Sequence, residues 1–330
     1  MSKKRMVVAV FLALALATGM LSACAGSGGN GTSGTPQNDN FQIGIIQLVE
    51  HPALDAAREG FIAALSDEGI KAEYDYQNAQ RDIPTLSTIS QRFVNNNVDL
   101  VLAIATASVQ AIAAETDTIP VVGSAITSYE RAGVVNSNEA PGFNVTGASD
   151  MNPIEAQINL IKEFLPDIQT LGIIYSTNEP NSVYQADIAR GVAGSLGLTV
   201  VEGTVTTTGD VQQNMLSVAR RVDAIFIPTD NTHADAIAVV TQVSIDTGVP
   251  VFPGEENMVT GGGLATVGVS YFDLGYQSGL MAVTILRDGG NPATMPIQFA
   301  QHYTYTVNGH TAEQLGIAVP ARLHDYIEFP

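Results

Sequence analysis

The sequence predicts an α/β protein of two similar doubly wound, Rossmann-like lobes with parallel sheets, connected by hinges. Three observations carry that expectation. From Phe41 onward, short β-branched runs alternate with amphipathic stretches, the pattern of βαβ units. The chain has 330 residues, room for about two domains at roughly 150 residues each. The first half also recurs in the second. Gly44-Ile45-Ile46 returns as Gly172-Ile173-Ile174, Pro52 as Pro180 and Gly69-Ile70 as Gly197-Leu198. Val98-Asp99 returns as Val222-Asp223 and Ile119-Pro120-Val121 as Val249-Pro250-Val251, at spacings of 124 to 130 residues that small insertions explain.

Residues 1–24 read as an export signal, because Lys3, Lys4 and Arg5 precede an uncharged run from Met6 to Met20 that is short for a membrane span. Leu21-Ser22-Ala23-Cys24 follows, and the single cysteine of the chain falls where the bacterial lipoprotein signal, which this stretch resembles, carries its lipid. One cysteine makes no internal disulfide. Residues 25–40, rich in Gly, Ser, Thr, Asn and Gln, read as a flexible tether. Lobe 1 is expected over 41–148, with strands near 42–48, 71–76, 98–104 and 119–123. Lobe 2 is expected over 149–271, with strands near 171–175, 198–202, 223–227 and 249–252. Segments 272–300 and 301–330 complete the first and second lobes, and hinge strands fall near 147–153, 268–272 and 300–303.

Lys and Arg number 14 against 33 Asp and Glu, a net charge of −19, and 14% of residues are charged. Loss of Lys3, Lys4 and Arg5 with the signal leaves 11 basic residues against 33 acidic ones, or −22. This balance lacks the clustered cations that nucleic acid or an anionic lipid surface requires. His51, His233, His302, His310 and His324 form no short-spaced pair, so no metal is expected. Gly261-Gly262-Gly263 precedes a strand and reads as a turn, not a phosphate loop. No Gly-x-Ser-x-Gly elbow occurs and no cysteine remains after lipidation, so neither a catalytic residue nor a cofactor is expected and the chain does not read as an enzyme.

Parallel α/β sheets bind ligands beyond the carboxyl ends of their strands. The loops to inspect are therefore 47–52, 105–108 and 124–129 in lobe 1, with 176–182, 229–232 and 254–257 in lobe 2. Thr106-Ala107-Ser108 opens a helix after a buried strand, where N–H groups and hydroxyls either cap the helix or hold a carboxylate. The matching Pro228-Thr229-Asp230-Asn231-Thr232 puts a carboxylate there instead, as a cap or as the partner of an ammonium group. Donors on one side and fixed negative charge on the other suit a zwitterion such as an amino acid. Glu50-His51 and Asn178-Glu179-Pro180-Asn181-Ser182 occupy equivalent loops beside helix-starting prolines. Ser149-Asp150 at the lobe crossing and Glu255 after the last strand add further polar groups, whereas the adjacent Glu256 reads as solvated.

Longer stretches support a family resemblance. Gln47-Leu48-Val49-Glu50-His51-Pro52-Ala53-Leu54-Asp55, Pro228-Thr229-Asp230-Asn231, Leu264-Ala265-Thr266-Val267-Gly268 with Tyr271 and Leu274-Gly275, and the closing Val307-Asn308, Thr311-Ala312 and Leu315-Gly316-Ile317-Ala318-Val319-Pro320 are the residues that carry it. Over 41 to about 323 the chain resembles the substrate-binding lipoproteins of ABC transporters, in the family whose better-known members bind tryptophan or other aromatic amino acids. The resemblance implies a type I periplasmic-binding-protein fold, three hinge crossings and a closed form that docks on a membrane permease. It implies an exported, lipid-anchored monomer that delivers a small zwitterion, with a sugar, nucleoside or other polar solute, or a sensory role, as the alternatives. Tyr129, Phe143, Tyr184, Tyr271 and Phe272 lie in or beside cleft segments and are the candidates to stack on an aromatic ligand.

Overall fold

The computed structural model describes residues 40–330. The export signal with Cys24 and residues 25–39 of the tether lie outside the described residues. The first lobe is built from β1 (Phe41–Gln47), α1 (Pro52–Asp67), β2 (Ala72–Asn78), α2 (Ile83–Asn95), β3 (Leu100–Ile104), α3 (Thr106–Glu115), β4 (Val121–Ile126), α4 (Tyr129–Ala132) and β5 (Val145–Ser149). The chain then crosses to α5 (Ile154–Phe164), β6 (Thr170–Ser176), α6 (Pro180–Ser195), β7 (Thr199–Val205), α7 (Val211–Ala219) and β8 (Ala224–Ile227). The second lobe continues with α8 (Asn231–Asp235), α9 (Ile237–Thr247), β9 (Val251–Pro253), α10 (Glu256–Thr260) and β10 (Ala265–Gly268). It crosses back for α11 (Tyr271–Asp288) and β11 (Gln298–Phe299), then ends in the second lobe with β12 (Thr304–Asn308), α12 (Gly309–Leu315) and β13 (Ile327–Glu328).

The first sheet runs β11-β5-β4-β3-β1-β2, with every pair parallel. The second lobe has a parallel sheet β7-β6-β8-β9 and a smaller one, β10-β12-β13. The first four strands of each lobe therefore stand in one spatial order, β2-β1-β3-β4 and β7-β6-β8-β9.

The repeated residues hold equivalent places for physical reasons. A side chain on Gly44 would press on the Phe93 ring at 2.7 Å and one on Gly172 would press on Val218 at 2.7 Å. In both lobes the first strand thus gives way to the helix packed on it. Asp99 accepts the Gln42 N–H at 2.7 Å, and Asp223 accepts those of Gln169 at 3.0 Å and Thr170 at 2.8 Å, closing the entrance to the first strand in each lobe. Strands expected to begin at Ile119 and Val249 begin at Val121 and Val251 instead. Pro120 and Pro250 have no N–H for the ladder and contribute only carbonyls, to Val101 and Ile225 at 2.9 Å each.

In lobe 1, α1 packs closely against α11. A Cβ on Gly60 would overlap the Phe272 carbonyl and one on Gly275 the Ala57 carbonyl, while one on Gly279 would meet the Ala64 Cβ at 2.6 Å. The two backbones touch. Gly275→Ala should therefore lower the unfolding free energy by about 1–3 kcal/mol through overpacking. Gly191→Ala, at an exposed site in α6 with open space around it, should raise it by about 0.5–1 kcal/mol; urea denaturation of both variants checks the contrast.

Candidate ligand-binding site

A small cavity of about 20 Å³ lies between the lobes, beyond the carboxyl ends of the parallel strands. His51, Ala53, Leu54 and Ala125 line it from lobe 1, and Asp150 and Tyr271 line it at two of the crossings. Asn181, Thr229, Asp230, Asn231, Ala234 and Glu255 form the lobe 2 wall. Its volume is room for about one water molecule, far below that of a small-molecule site, so the lobes as they stand are closed too tightly to hold an amino acid. Contacts across the cleft hold the lobes together: His51 Nε2 lies 3.0 Å from Asn231 Oδ1, Gln185 donates to Thr127 at 3.3 Å, and the Arg131 guanidinium stacks 4.0 Å above the Tyr184 ring.

Among the described residues four carboxylates are buried, and the protein itself consumes two of them. Asp230 caps α8 and accepts four hydrogen bonds: His233 N at 2.9 Å and His233 Nδ1 at 2.8 Å on Oδ1, Ser176 N at 2.6 Å and Ser182 Oγ at 2.5 Å on Oδ2. Burial pushes its pKa up, but His233 and the other donors outweigh burial and hold it below the ordinary value. Glu179 accepts from Asn231 N at 2.9 Å, Asn231 Nδ2 at 2.6 Å, Thr232 N at 2.9 Å and Thr232 Oγ1 at 2.8 Å. Burial and the nearby charge of Asp230 raise its pKa. These two side chains build α8 and its approach, so the cation expected opposite Asp230 meets a carboxylate whose oxygens are already occupied.

Asp150 and Glu255 are different. Among the described residues the side-chain donors to Asp150, 3% exposed, are Thr127 Oγ1 at 2.9 Å and Tyr271 OH at 2.8 Å, and burial raises its pKa. Tyr271 stays protonated, its pKa pushed well above the ordinary value by burial and by the Asp150 charge. Glu255 caps α10 through the N–H groups of Asn257 and Met258 at 2.7 Å each, and burial raises its pKa to about 7. Among the described residues neither carboxylate pairs with Lys, Arg or His. A buried carboxylate without a cation is costly unless something else supplies one.

His51 completes the polar wall. Since Asn231 Nδ2 donates to Glu179, its Oδ1 accepts from His51 Nε2–H. This network assigns the neutral tautomer, in agreement with a pKa lowered by burial. His51 Nδ1 is left buried without a partner, an acceptor on a side chain that faces the cavity.

Of the other residues expected in the site, Asn181 lines the cavity and donates to the Thr229 carbonyl at 3.1 Å. Ser149 binds the Thr127 carbonyl at 3.0 Å and Ser182 supports Asp230, both from behind the wall. Thr106 and Ser108 are buried and Ala107 half-buried at the start of α3, and none of the three lines the cavity. Glu50 and Asn178 are exposed, engaged by the Tyr76 hydroxyl at 2.9 Å and with the Thr206 carbonyl at 3.1 Å. Among the aromatic candidates only Tyr271 reaches the cavity: Tyr129 is buried with its hydroxyl on the Ala148 carbonyl at 3.0 Å, Tyr184 sits under Arg131, and Phe143 and Phe272 are exposed. Glu256 is half-buried, not solvated, and burial raises its pKa. Sequence reasoning did not single out Ala125, Ala234, Thr127 or Gln185. Ala125 has a left-handed backbone, φ 58°, as does Ala105 with φ 79°, and strain of this kind gathers at functional sites.

Glu255 gives the site a pH signature. Its pKa rises from 4.5 to about 7 on folding, so over that window the folded chain keeps a proton that the unfolded chain has lost. Its contribution is largest at the acid end and declines as pH rises towards the folded value. In urea denaturation from about pH 5 to pH 8, the difference between wild type and Glu255→Gln should move in favour of the variant with rising pH. A difference independent of pH would mean that the carboxyl is ionised throughout.

A sequence model of the ABC transporter substrate binding protein family matches residues 42–327. A tyrosine-binding protein of Clostridioides difficile is 35% identical over 323 residues, covering 96% of this chain and 93% of the relative. The crystal structure of an ABC domain from Streptococcus pneumonia in complex with L-Trp superposes with a TM-score of 0.84 at 35% identity, over 88% of this chain and 100% of that one. The ligand-free, open structure of a substrate binding protein with adhesive properties from Clostridium difficile gives a TM-score of 0.69 at 37% identity, over 88% and 99% of the two chains. At similar identity, the lobes here are arranged more as in the L-Trp complex than as in the open form. The duplicated parallel sheets, the shut cavity between them and the match across nearly the whole described chain have one meaning: the protein belongs to the ABC transporter substrate binding protein family.

Proposed function

We propose that the chain is the extracytoplasmic, lipid-anchored capture component of an ABC importer and that it holds an aromatic amino acid between its lobes, without turnover. Asp150 carries this reading: a buried carboxylate on the cavity wall, steadied by two hydroxyls and lacking a cation, is matched by a ligand ammonium. The His51 Nδ1 acceptor adds a second place for a ligand donor. Ala53, Leu54, Ala125 and Ala234 supply small apolar surfaces beside Tyr271, against which a flat ring packs once the lobes part to admit it. The relatives named for tyrosine binding and solved with L-Trp support the same ligand class. The basic, apolar leader ending at Cys24 supports export and lipid attachment, and one anchored monomer suffices for capture and delivery to the permease.

L-tyrosine or L-tryptophan at about 100 times its dissociation constant should add about 2.7 kcal/mol to stability. A shift with a sugar or nucleoside and none with either amino acid overturns the reading. Asp150→Asn should weaken amino-acid binding by about 2–5 kcal/mol while leaving the ligand-free protein at least as stable, because the buried charge is gone; calorimetric titration and thermal melts measure the two effects. Cys24→Ala should move the exported chain from the membrane fraction to the soluble one, as fractionation of cells would reveal.

A further inference from the structure

Arg81 lies in the turn between β2 and α2, outside the wall of the cavity. Its side chain leaves lobe 1 and reaches α8 of lobe 2. There Nη2 donates to the Asn231 carbonyl at 2.7 Å and stands 2.8 Å from Asp235 Oδ2. The pair is partly sheltered, with side-chain exposures of 23% for Arg81 and 43% for Asp235.

The backbone is strained to aim this side chain. Gln80 and Arg81 are consecutive non-glycine residues in the left-handed region, φ 51° and 65°, a conformation that L residues adopt singly and seldom. Arg81 N–H on the Leu48 carbonyl at 2.8 Å, Ala79 N–H on the Gln47 carbonyl at 3.0 Å and Asp82 N–H on the Ala79 carbonyl at 2.9 Å hold the turn in place. Such outliers persist only where their surroundings over-determine them, and they gather at clamps and switches.

The element Arg81 grips is also part of the cavity. Asn231 lines it, meets His51 of lobe 1 through Oδ1, and is fixed by Glu179 through its N–H and Nδ2. A ligand seated against Asn231 and a guanidinium bound to the Asn231 carbonyl act on one five-residue helix from two sides. We propose that Arg81 is the latch of the closed form: it joins α8 to lobe 1 only when the lobes are shut, and so sets how long the ligand is retained without touching it. This rests on the binding reading above, which gives the cavity its occupant.

L-tryptophan is a convenient probe, since the chain contains no Trp and the ligand's indole is the sole one in the sample. In stopped-flow fluorescence, Arg81→Ala should raise the off-rate about tenfold and leave the on-rate within about twofold, as expected when one partner of a closing contact is removed. Arg81→Lys, which keeps a charge for Asp235 but loses the planar fork, and Asp235→Asn should fall in between. An off-rate for Arg81→Ala within twofold of wild type, or a loss taken wholly in the on-rate, overturns the latch. Single-molecule energy transfer between dyes on the outer faces of the lobes supplies a ligand-free measurement, in which Arg81→Ala should reduce the closed fraction several-fold. If the wild-type chain binds neither L-tryptophan nor L-tyrosine, the amino-acid reading fails and this measurement alone decides the latch, as it also does if L-tyrosine alone binds: a reduced closed fraction supports it and an unchanged one overturns it.

Discussion

The negative charge buried between the lobes is the constraint around which the site is organised. Asp150, Glu179, Asp230 and Glu255 are all buried at or beside the cavity, and each needs donors to remain there. The chain meets the need unevenly. Asp230 and Glu179 draw on main-chain N–H groups, hydroxyls and an imidazole from within their own lobe and thereby shape α8. Asp150 receives one hydroxyl from lobe 1 and one from Tyr271, at the far side of the second crossing. This carboxylate therefore also ties the two crossings together.

The repeated architecture accounts for how the two lobes meet. His51 and Glu179 stand at equivalent positions, each just before the proline that opens the first helix of its lobe. Both reach Asn231: His51 faces Oδ1 from across the cleft while Glu179 accepts from Nδ2 within its own lobe. One amide side chain is thus held at its two ends by corresponding residues of the two copies. The two lobes differ in their loops and agree in the scaffold, where Gly44 and Gly172, and Asp99 and Asp223, have the same tasks.

The fold was legible because it rests on local signals: strand and helix periods, proline before helices and glycine after them. The cleft loops were legible too, since topology alone directs ligands to the carboxyl ends of parallel strands. Which carboxylate is free was not. Asp230 is saturated by Ser176 and Ser182, residues some fifty positions away, and no spacing rule announces that pairing. Arg81 was invisible for a related reason, because its partners lie 150 residues further on and its value depends on a left-handed turn in a sequence without glycine there. Thr106 to Ser108 read either as a helix cap or as an anion site; the helix does start there, but Ala105 holds the cap position and no side chain caps it.

The backbone contact of α1 with α11 has a mechanical consequence. The start of α1 carries Ala53 and Leu54, the start of α11 carries Tyr271, and the glycines let the two helices pack as one stiff beam. Whatever bends when the cleft opens, these wall residues travel together. A solute arriving from bulk water accordingly meets half of its berth already assembled on one lobe, and the swing of the other lobe adds the remainder.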